Sequence, residues 1–273
     1  MAQFKMQNNE VSVCIDEHAS EIHSFKDLAT NIEYMWQGDP KFWKGRNPTL
    51  FPMVGSTWDK KLHINGKEYV TGNHGFTRNS DFTCIEHDDT HIVMELKDSE
   101  ETRNQYPFAF TLDITYTLEG RTLTIHYEIT NDNDVTMPFN FGLHPAFNWP
   151  ICSEDEPTSY NIKFNQAEDI PSLDLNATME MPLNRDALKK TVIITNPKST
   201  ESTLTDGKHS VTVGYHNYKW LAFWSPEAPF VCIEPWYGHA DFEEVKVPFE
   251  QREGTLFLEA HQKWTTDYTI RIQ

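Results

Sequence analysis

The stretch Phe110-Thr-Leu-Asp-Ile-Thr-Tyr-Thr-Leu-Glu-Gly-Arg-Thr-Leu-Thr-Ile-His-Tyr-Glu-Ile-Thr130 decides the fold class. Apolar and polar residues alternate over Phe110–Leu118 and again over Thr122–Thr130, and a period of two is typical of a half-buried strand. The dipeptide Glu119-Gly120 lies between the two runs, where glycine favours a tight turn. The stretch therefore predicts a β-hairpin of two long antiparallel strands.

Shorter runs of the same kind predict strands along most of the chain, and no helical period of 3.6 residues is sustained anywhere. We therefore expect an all-β protein, a large antiparallel β-sandwich that forms a single domain over residues 1–273. The polar segment Cys152–Thr191 contains Pro157, Pro171 and Pro182 and is predicted to be a long irregular excursion. The other predicted strands are Val11–Ile15, Ile32–Trp36, Lys61–Ile64, Lys67–Val70, His91–Leu96, Val211–Tyr215, Trp220–Trp224, Val231–Glu234, Thr255–Leu258 and Tyr268–Ile272.

The charge balance limits the partners of this chain. It has 41 acidic and 23 basic residues, a formal net charge of −18, and such a surface repels phosphate backbones and anionic membranes. We therefore expect no nucleic-acid and no membrane partner. The first residues lack the apolar core of a secretory signal, and no run reaches the ~18 apolar residues of a membrane span, so we expect a cytoplasmic protein. The cysteines are widely separated, which predicts free thiols and neither a disulfide framework nor a zinc site.

The segment Asn73-His-Gly-Phe-Thr-Arg78 is the first candidate site. His74 lies among turn-forming residues, and Arg78 follows four residues later. Loops that carry such side chains often bind polar ligands. The alternative is an ordinary histidine in a surface loop, and the spacing alone favours that alternative.

The segment Asn140-Phe-Gly-Leu-His-Pro-Ala-Phe-Asn148 is the second candidate. In an extended chain Asn140, Gly142 and His144 share one face, while Phe141 and Leu143 point to the other. We expect Gly142 to leave open space beside His144. A hydrogen-bonded core histidine is an equally good interpretation of this pattern.

The segment Phe230-Val-Cys-Ile-Glu-Pro-Trp-Tyr-Gly-His-Ala-Asp241 is the third candidate. An apolar strand ends at Glu234, and a carboxylate there needs a partner or a function. Trp236 follows closely, and aromatic rings beside carboxylates suit sugar binding, because the ring packs on C–H faces while polar groups bind hydroxyls. A structural, paired glutamate is the alternative.

Other enzyme classes lack their sequence signals. There is no GxSxG, GxxxxGK[ST] or GxGxxG motif. A metal bound by His74, His144 and Glu234 is formally possible, but no His-x-His or HExxH pair supports it, and we expect no metal or cofactor. A glycosidase would need a second carboxylate, and neither Asp206 nor Asp241 has a distinctive context.

Five short segments, in order, resemble the aldose 1-epimerase (galactose mutarotase) family, and in particular its LacX-like branch. They extend from Glu33 to the third candidate site, and the resemblance covers nearly the whole chain to its final strand. The segments are Glu33-Tyr-Met-Trp-Gln-Gly-Asp-Pro40, Arg46-Asn-Pro-Thr-Leu-Phe-Pro-Met-Val-Gly55, Asn73–Arg78, His144-Pro-Ala-Phe-Asn148 and Cys232-Ile-Glu-Pro-Trp236.

The resemblance implies a galactose mutarotase-like supersandwich that interconverts the α and β anomers of an aldose without a cofactor. It implies that Glu234 is the general base, that His144 is the general acid and that His74 orients the substrate. The arginine that better-known galactose mutarotases carry upstream of the first histidine is missing from Val54–Lys61. Arg46 and Arg78 are the candidates to replace it. Asn140, Trp236 and one of Trp36 or Trp43 complete the expected sugar-binding set.

Two rival functions stay open at this point. A hexose-6-phosphate epimerase would need several cations around the phosphate, and Arg46, Lys60, Lys61 and Arg78 are available, although the net charge opposes an anionic substrate. A non-catalytic carbohydrate-binding protein is the second rival, since a fold does not fix a function. The expected partner is a small-molecule sugar in each case, and the chain is expected to be a monomer or a homodimer.

Overall fold

The computed structural model describes residues 2–273, and most of the regular structure in them is β-strand. None of its helices is long and apolar enough to span a membrane. The helices are α1 (Glu100–Gln105) and α2 (Arg185–Lys189), with 3₁₀ turns at Thr77–Asn79, Pro157–Ser159, Pro171–Leu173 and Phe249–Gln251. The strands are β1 (Gln3–Gln7), β2 (Val11–Asp16), β3 (Ile22–Asp27), β4 (Thr49–Leu50), β5 (Leu62–Ile64), β6 (Lys67–Tyr69), β7 (Thr83–His87), β8 (His91–Lys97), β9 (Phe110–Glu119), β10 (Thr122–Asn131), β11 (Met137–Phe139), β12 (Gly142–Leu143), β13 (Ala146–Asn148), β14 (Asn161–Ile170), β15 (Leu175–Pro182), β16 (Val192–Thr195), β17 (Glu201–Thr205), β18 (Ser210–Tyr215), β19 (Trp220–Trp224), β20 (Phe230–Trp236), β21 (Leu256–Leu258) and β22 (Lys263–Ile272).

The predicted hairpin is confirmed as β9 and β10. The two strands pair antiparallel with Glu119 opposite Thr122, and Gly120 has a φ of +54° in the turn between them. Apolar side chains such as Ile114 and Ile125 are fully buried, whereas the intervening side chains are partly exposed. The alternation seen in the sequence therefore separates a core face from a solvent face.

The hairpin belongs to a nine-stranded sheet with the order β15-β14-β17-β18-β22-β10-β9-β8-β7. A second sheet has the order β16-β19-β20-β12-β4, and β13 also pairs with β20. Their inner faces meet in one core, where the rings of Phe164 and Phe223 lie 6.0 Å apart and those of Tyr127 and Phe141 lie 5.1 Å apart. The expected antiparallel β-sandwich is confirmed. Smaller sheets join β1-β2-β3, β5-β6 and β11-β21.

The prediction of an irregular excursion over Cys152–Thr191 is wrong. The segment contains β14 and β15, which form one edge of the nine-stranded sheet, and it ends with α2. The prolines lie at element ends: Pro157 and Pro171 begin 3₁₀ turns, and Pro182 ends β15. Strand β15 is mostly exposed and therefore lacks a clear apolar alternation.

The predicted strand Ile32–Trp36 is also not a regular strand. Glu33 and Met35 form only isolated bridges, with Lys26 and Phe147 respectively.

Strand β20 positions the site. Every residue in it is buried. Val231 and Ile233 join the core between the two sheets, whereas Cys232 and Trp236 join smaller clusters on the opposite side of the strand. Because side chains alternate along a strand, Glu234 lies on the same outer face as Cys232 and Trp236.

Candidate active site

A cleft of about 230 Å³ opens on the outer face of the second sheet. Its walls come from strands β19 and β20, from the segments around His74 and His144, and from loops that cover this face. The lining residues are Trp43, Asn73, His74, Arg78, His144, Thr191, Trp224, Glu234 and Trp236.

His144 and Glu234 meet in this cleft, with 3.3 Å between Nε2 of the imidazole and Oε2 of the carboxyl. The strand register explains why the side chains of His144 and Glu234 are in contact. Gly142 pairs with Trp236 and Ala146 pairs with Cys232, so the residue midway between them lies across from Glu234. Directly opposed residues of antiparallel strands bring their Cβ atoms to roughly 5 Å, which suits a side-chain contact.

Burial shifts both members of the His144–Glu234 pair towards their neutral forms. It raises the pKa of Glu234 well above its usual 4.5 and lowers the pKa of His144 well below its usual 6.5; the nearby His74 and Arg78 lower the latter further. Within residues 2–273, Oε2 of Glu234 and Nδ1 of His144 have no hydrogen-bond partner. The ligand-free pair thus holds one proton between two groups, and two of its buried polar atoms make no hydrogen bond.

His74 is a fixed hydrogen-bond donor. The backbone N–H of Gly55 donates to its Nδ1 at 2.9 Å, and burial lowers its pKa to about 3, helped by the charge of Arg78. The ring is therefore neutral with its proton on Nε2. Its centroid lies 5.4 Å from that of His144. The following Gly75 has a φ of +73°, and a Cβ there would lie 2.0 Å from the carbonyl oxygen of Phe51, so this turn depends on glycine.

The two candidate arginines are placed differently. Arg78 lines the cleft and makes no side-chain hydrogen bond within the described part of the chain, although the charge of buried Glu21 acts on it. The guanidinium of Arg46 instead donates to the carbonyl oxygen of Gln37 and lines two other hollows. The structure therefore places Arg46 outside the cleft, contrary to the expectation from the sequence.

Three aromatic residues form the apolar walls. The ring of Trp43 lies 4.8 Å from that of His144 at an interplanar angle of 31°, and the ring of Trp224 meets the same imidazole edge-on at 5.5 Å. Trp236 lines the cleft beside them. Of the two alternatives named from the sequence, Trp36 is buried behind the wall, where its indole N–H donates to the carbonyl oxygen of Trp43.

Two expectations about the second candidate segment are not met. Asn140 is buried and does not line the cleft; it packs against Gly238, where a Cβ would lie 1.4 Å from the Asn140 Oδ1. Gly142 leaves no open space beside His144, since its missing side chain makes room for Trp236 Cδ1, 2.8 Å from where a Cβ would be. The glycine thus allows the indole to take its place in the wall.

The sequence of this chain matches the family model described as aldose 1-epimerase over residues 2–269. The chain belongs to the aldose 1-epimerase family. This bears out the resemblance read from the five segments.

Relatives of this aldose 1-epimerase family member agree with that assignment. The plasmid-encoded protein LacX of Lactococcus lactis subsp. lactis is 29% identical over 261 residues, 86% of this chain and 87% of that protein. A galactose mutarotase related enzyme from Lactobacillus acidophilus has a crystal structure with a TM-score of 0.91 and 30% identity, covering 100% of this chain and 97% of that one. A galactose mutarotase-like protein from Lactobacillus casei has a TM-score of 0.89 and 28% identity, with full coverage of both chains.

Three wall residues of this family member were missed from the sequence. Trp224 pairs with Cys232 across β19 and β20, so it lies on the cleft face, and this register is not visible in the sequence. Asn73 was quoted in the first segment without a role. Thr191 lies at the end of the segment predicted to be irregular. Its residue type does not indicate its left-handed backbone, which has a φ of +60°.

Among residues 2–273, two groups of side chains have donor atoms close enough to hold a cation. At the cleft, the donor atoms of His144 and Glu234 and of the buried Cys232 behind them lie within 4.8 Å of one another. Away from it, those of Cys152, Asp155 and His209 do the same. The cleft group contains the His144–Glu234 pair.

Proposed function

We propose that this chain catalyses the interconversion of the α and β anomers of an aldose. The observation that supports this most strongly is the pair of His144 and Glu234, 3.3 Å apart and open to a cleft with aromatic walls. A protein that only binds sugar has no need for a proton donor and a proton acceptor at this separation.

The reaction needs one proton removed and one delivered. Glu234 accepts the proton of the C1 hydroxyl while His144 donates a proton to the ring oxygen; the C1–O5 bond breaks and the C1 carbonyl forms. The open chain rotates about its C1–C2 bond, and the reverse transfers close the ring on the other face. Protons and electrons balance within the pair and the substrate, so no redox partner enters the reaction.

A pair that holds a single proton meets this requirement. The buried pair is neutral without ligand because both charged forms are poorly solvated. Substrate hydroxyls supply the hydrogen bonds that Oε2 lacks, which favours the carboxylate and moves the proton to the imidazole. The face of Trp43 stabilises the resulting imidazolium by a cation–π contact.

The remaining wall residues hold the sugar in this proposal. His74 donates from Nε2 to a substrate oxygen, and Arg78 supplies further donors. Trp43 and Trp236 pack on the C–H faces of the ring. One arginine, with the carboxyl of Glu21 nearby, in a chain of net charge −18 suits a neutral sugar better than a phosphorylated one.

Polarimetry tests the proposal. Freshly dissolved α-glucose and α-galactose should reach rotational equilibrium faster with the protein than without it, and the rate should rise in proportion to protein concentration. Glucose 6-phosphate is measured alongside, and faster turnover of the phosphate ester than of either free sugar would point to the hexose-6-phosphate rival. Sugar binding seen by calorimetry without any acceleration would indicate a non-catalytic binding protein.

A further inference from the structure

A second cluster of reactive side chains lies away from the cleft, where two separate parts of the chain meet. Cys152 and Asp155 lie in the connection that follows β13, whereas Asp206 and His209 lie in the turn between β17 and β18. None of these four residues lines the cleft. All four are partly or largely buried.

The imidazole of His209 is at the centre of this cluster. Its Nδ1 is 3.7 Å from Oδ2 of Asp155 and 3.7 Å from Oδ2 of Asp206, and Sγ of Cys152 lies 3.7 Å from Nδ1 and 3.6 Å from Nε2. The nitrogen–oxygen distances exceed those of an ordinary N–H···O hydrogen bond, ~2.7–3.2 Å. They resemble the spacing between ligands of one tetrahedral ion, since metal–ligand bonds of about 2.0–2.3 Å put neighbouring ligand atoms roughly 3.3–3.7 Å apart.

Both carboxylates are held in place by other groups. The hydroxyl of Tyr160 donates to Oδ2 of Asp155 at 2.7 Å. Oδ1 of Asp206 accepts the backbone N–H groups of Lys208 and His209, each at 2.8 Å, so that its other oxygen faces the imidazole. The side chain of Asp206 is only 5% exposed. Hydrogen bonds that orient ligands in this way are a common feature of metal sites.

We infer that Cys152, Asp155 and His209, with Asp206 beside the imidazole, form a binding site for one divalent cation of the zinc class. Sulfur, imidazole nitrogen and carboxylate oxygen are the donor types that Zn²⁺ takes in tetrahedral sites. A cation also offsets the negative charge of two carboxylates that flank one imidazole in a strongly acidic chain. Bound there, it joins the β13–β14 connection to the β17–β18 turn.

Metal binding at this site must displace a proton from the thiol. Burial raises the pKa of Cys152, and the neighbouring carboxylates of Asp155 and Asp206 raise it further. A direct pairing of His209 with the two carboxylates is the competing arrangement, and it predicts no metal binding.

Cobalt spectroscopy on the full chain tests the inference, because tetrahedral Co²⁺ has visible d–d bands and thiolate ligation adds a near-ultraviolet charge-transfer band. We expect one equivalent of Co²⁺ to produce both features and Zn²⁺ to displace it. Cys152→Ser should abolish the charge-transfer band, and His209→Ala should abolish binding. Tyr160→Phe, which removes only the supporting hydroxyl, should weaken binding about 10–100-fold.

Two controls separate this site from the rest of the molecule. Cys84→Ser changes a half-exposed cysteine elsewhere and should retain both spectral features. Glu234→Gln removes one donor of the cleft group and should retain them too, so the result does not depend on whether the chain is an epimerase. The absence of a one-equivalent cobalt spectrum, or a spectrum that persists in Cys152→Ser and is lost in Glu234→Gln, would overturn the inference. Zinc should also raise Tm in the wild type and in Cys84→Ser, but not in His209→Ala.

Discussion

Replacing Glu234 by glutamine is the most direct test of the proposed chemistry. Glutamine has the shape of glutamate, so the side chain remains beside His144 and β20 keeps its packing. Its amide cannot accept a proton at neutral pH, and the C1 hydroxyl then loses its base. The cleft should still bind sugar, since the aromatic walls and His74 are unchanged. We therefore expect a loss in kcat with little change in KM.

The expected loss can be estimated from the role of the group. A positioned general base contributes roughly 10²–10⁴-fold, which corresponds to about 3–5 kcal/mol of activation free energy. His144→Asn should cost a similar factor. The double variant should be little slower than either single variant, because an acid and a base that move one proton in concert act as a unit.

Glu168→Gln is the matched control. Glu168 is 1% exposed, as Glu234 is, but it lies outside the cleft and accepts the backbone N–H of Ser199. The assay is polarimetry on α-galactose, with circular dichroism and Tm to verify folding. The reasoning is refuted if folded Glu234→Gln retains more than about a tenth of the wild-type kcat, since the base contribution starts near 10², or if both variants lose the same activity.

Three further predictions concern the surroundings of this pair. First, the active form with one proton exists between the lowered pKa of His144 and the raised pKa of Glu234, so the acid limb of kcat/KM should lie well below pH 6.5 and the alkaline limb well above pH 4.5; an acid limb above pH 6.5 or an alkaline limb below pH 4.5 would contradict it. Second, Arg78→Ala should lower kcat/KM about 10–100-fold, the value of a hydrogen bond from a charged group, while Arg46→Ala leaves it unchanged; equal effects would show that the cleft is wrongly assigned. Third, Gly75→Ala should lower the free energy of unfolding in urea by more than Gly66→Ala does, because Gly66→Ala costs only the ~1–2 kcal/mol of a left-handed backbone. The φ angles at the two positions are +73° and +72°, but only at Gly75 would the new Cβ clash with another atom, at 2.0 Å. Equal losses in the two variants would refute the clash.

Strand alternation made much of the fold predictable. The β9–β10 hairpin follows from a period of two on either side of Gly120, because one face of each strand is buried and the other is not. The same reasoning failed for β15, whose exposed edge position removes the alternation. It also missed Trp224, because a partner strand's register appears only when the strands are paired.

The candidate site was predictable where short sequence segments contain its residues. It was not predictable where the packing of loops determines which side chains line the cleft. His144 and Glu234 were named from local sequence and family resemblance, and the structure brings them together across two strands. Arg46 was named as a replacement for the arginine that the family resemblance led us to expect, yet the path of the chain around Gln37 turns its guanidinium away from the cleft. The cluster around His209 gave no signal, because its members come from segments more than 50 residues apart.

Strand β22 has a consequence for how this protein is made. It lies between β10 and β18, so residues 263–272 join two halves of the nine-stranded sheet that are synthesised much earlier. During synthesis, one edge of each neighbouring strand stays unpaired until this segment leaves the ribosome. Other chains can pair with these edges in that period. Nascent chains stalled before residue 263 should therefore be protease-sensitive and depend on chaperones, and a stop codon there should give insoluble protein instead of a slightly shortened sandwich.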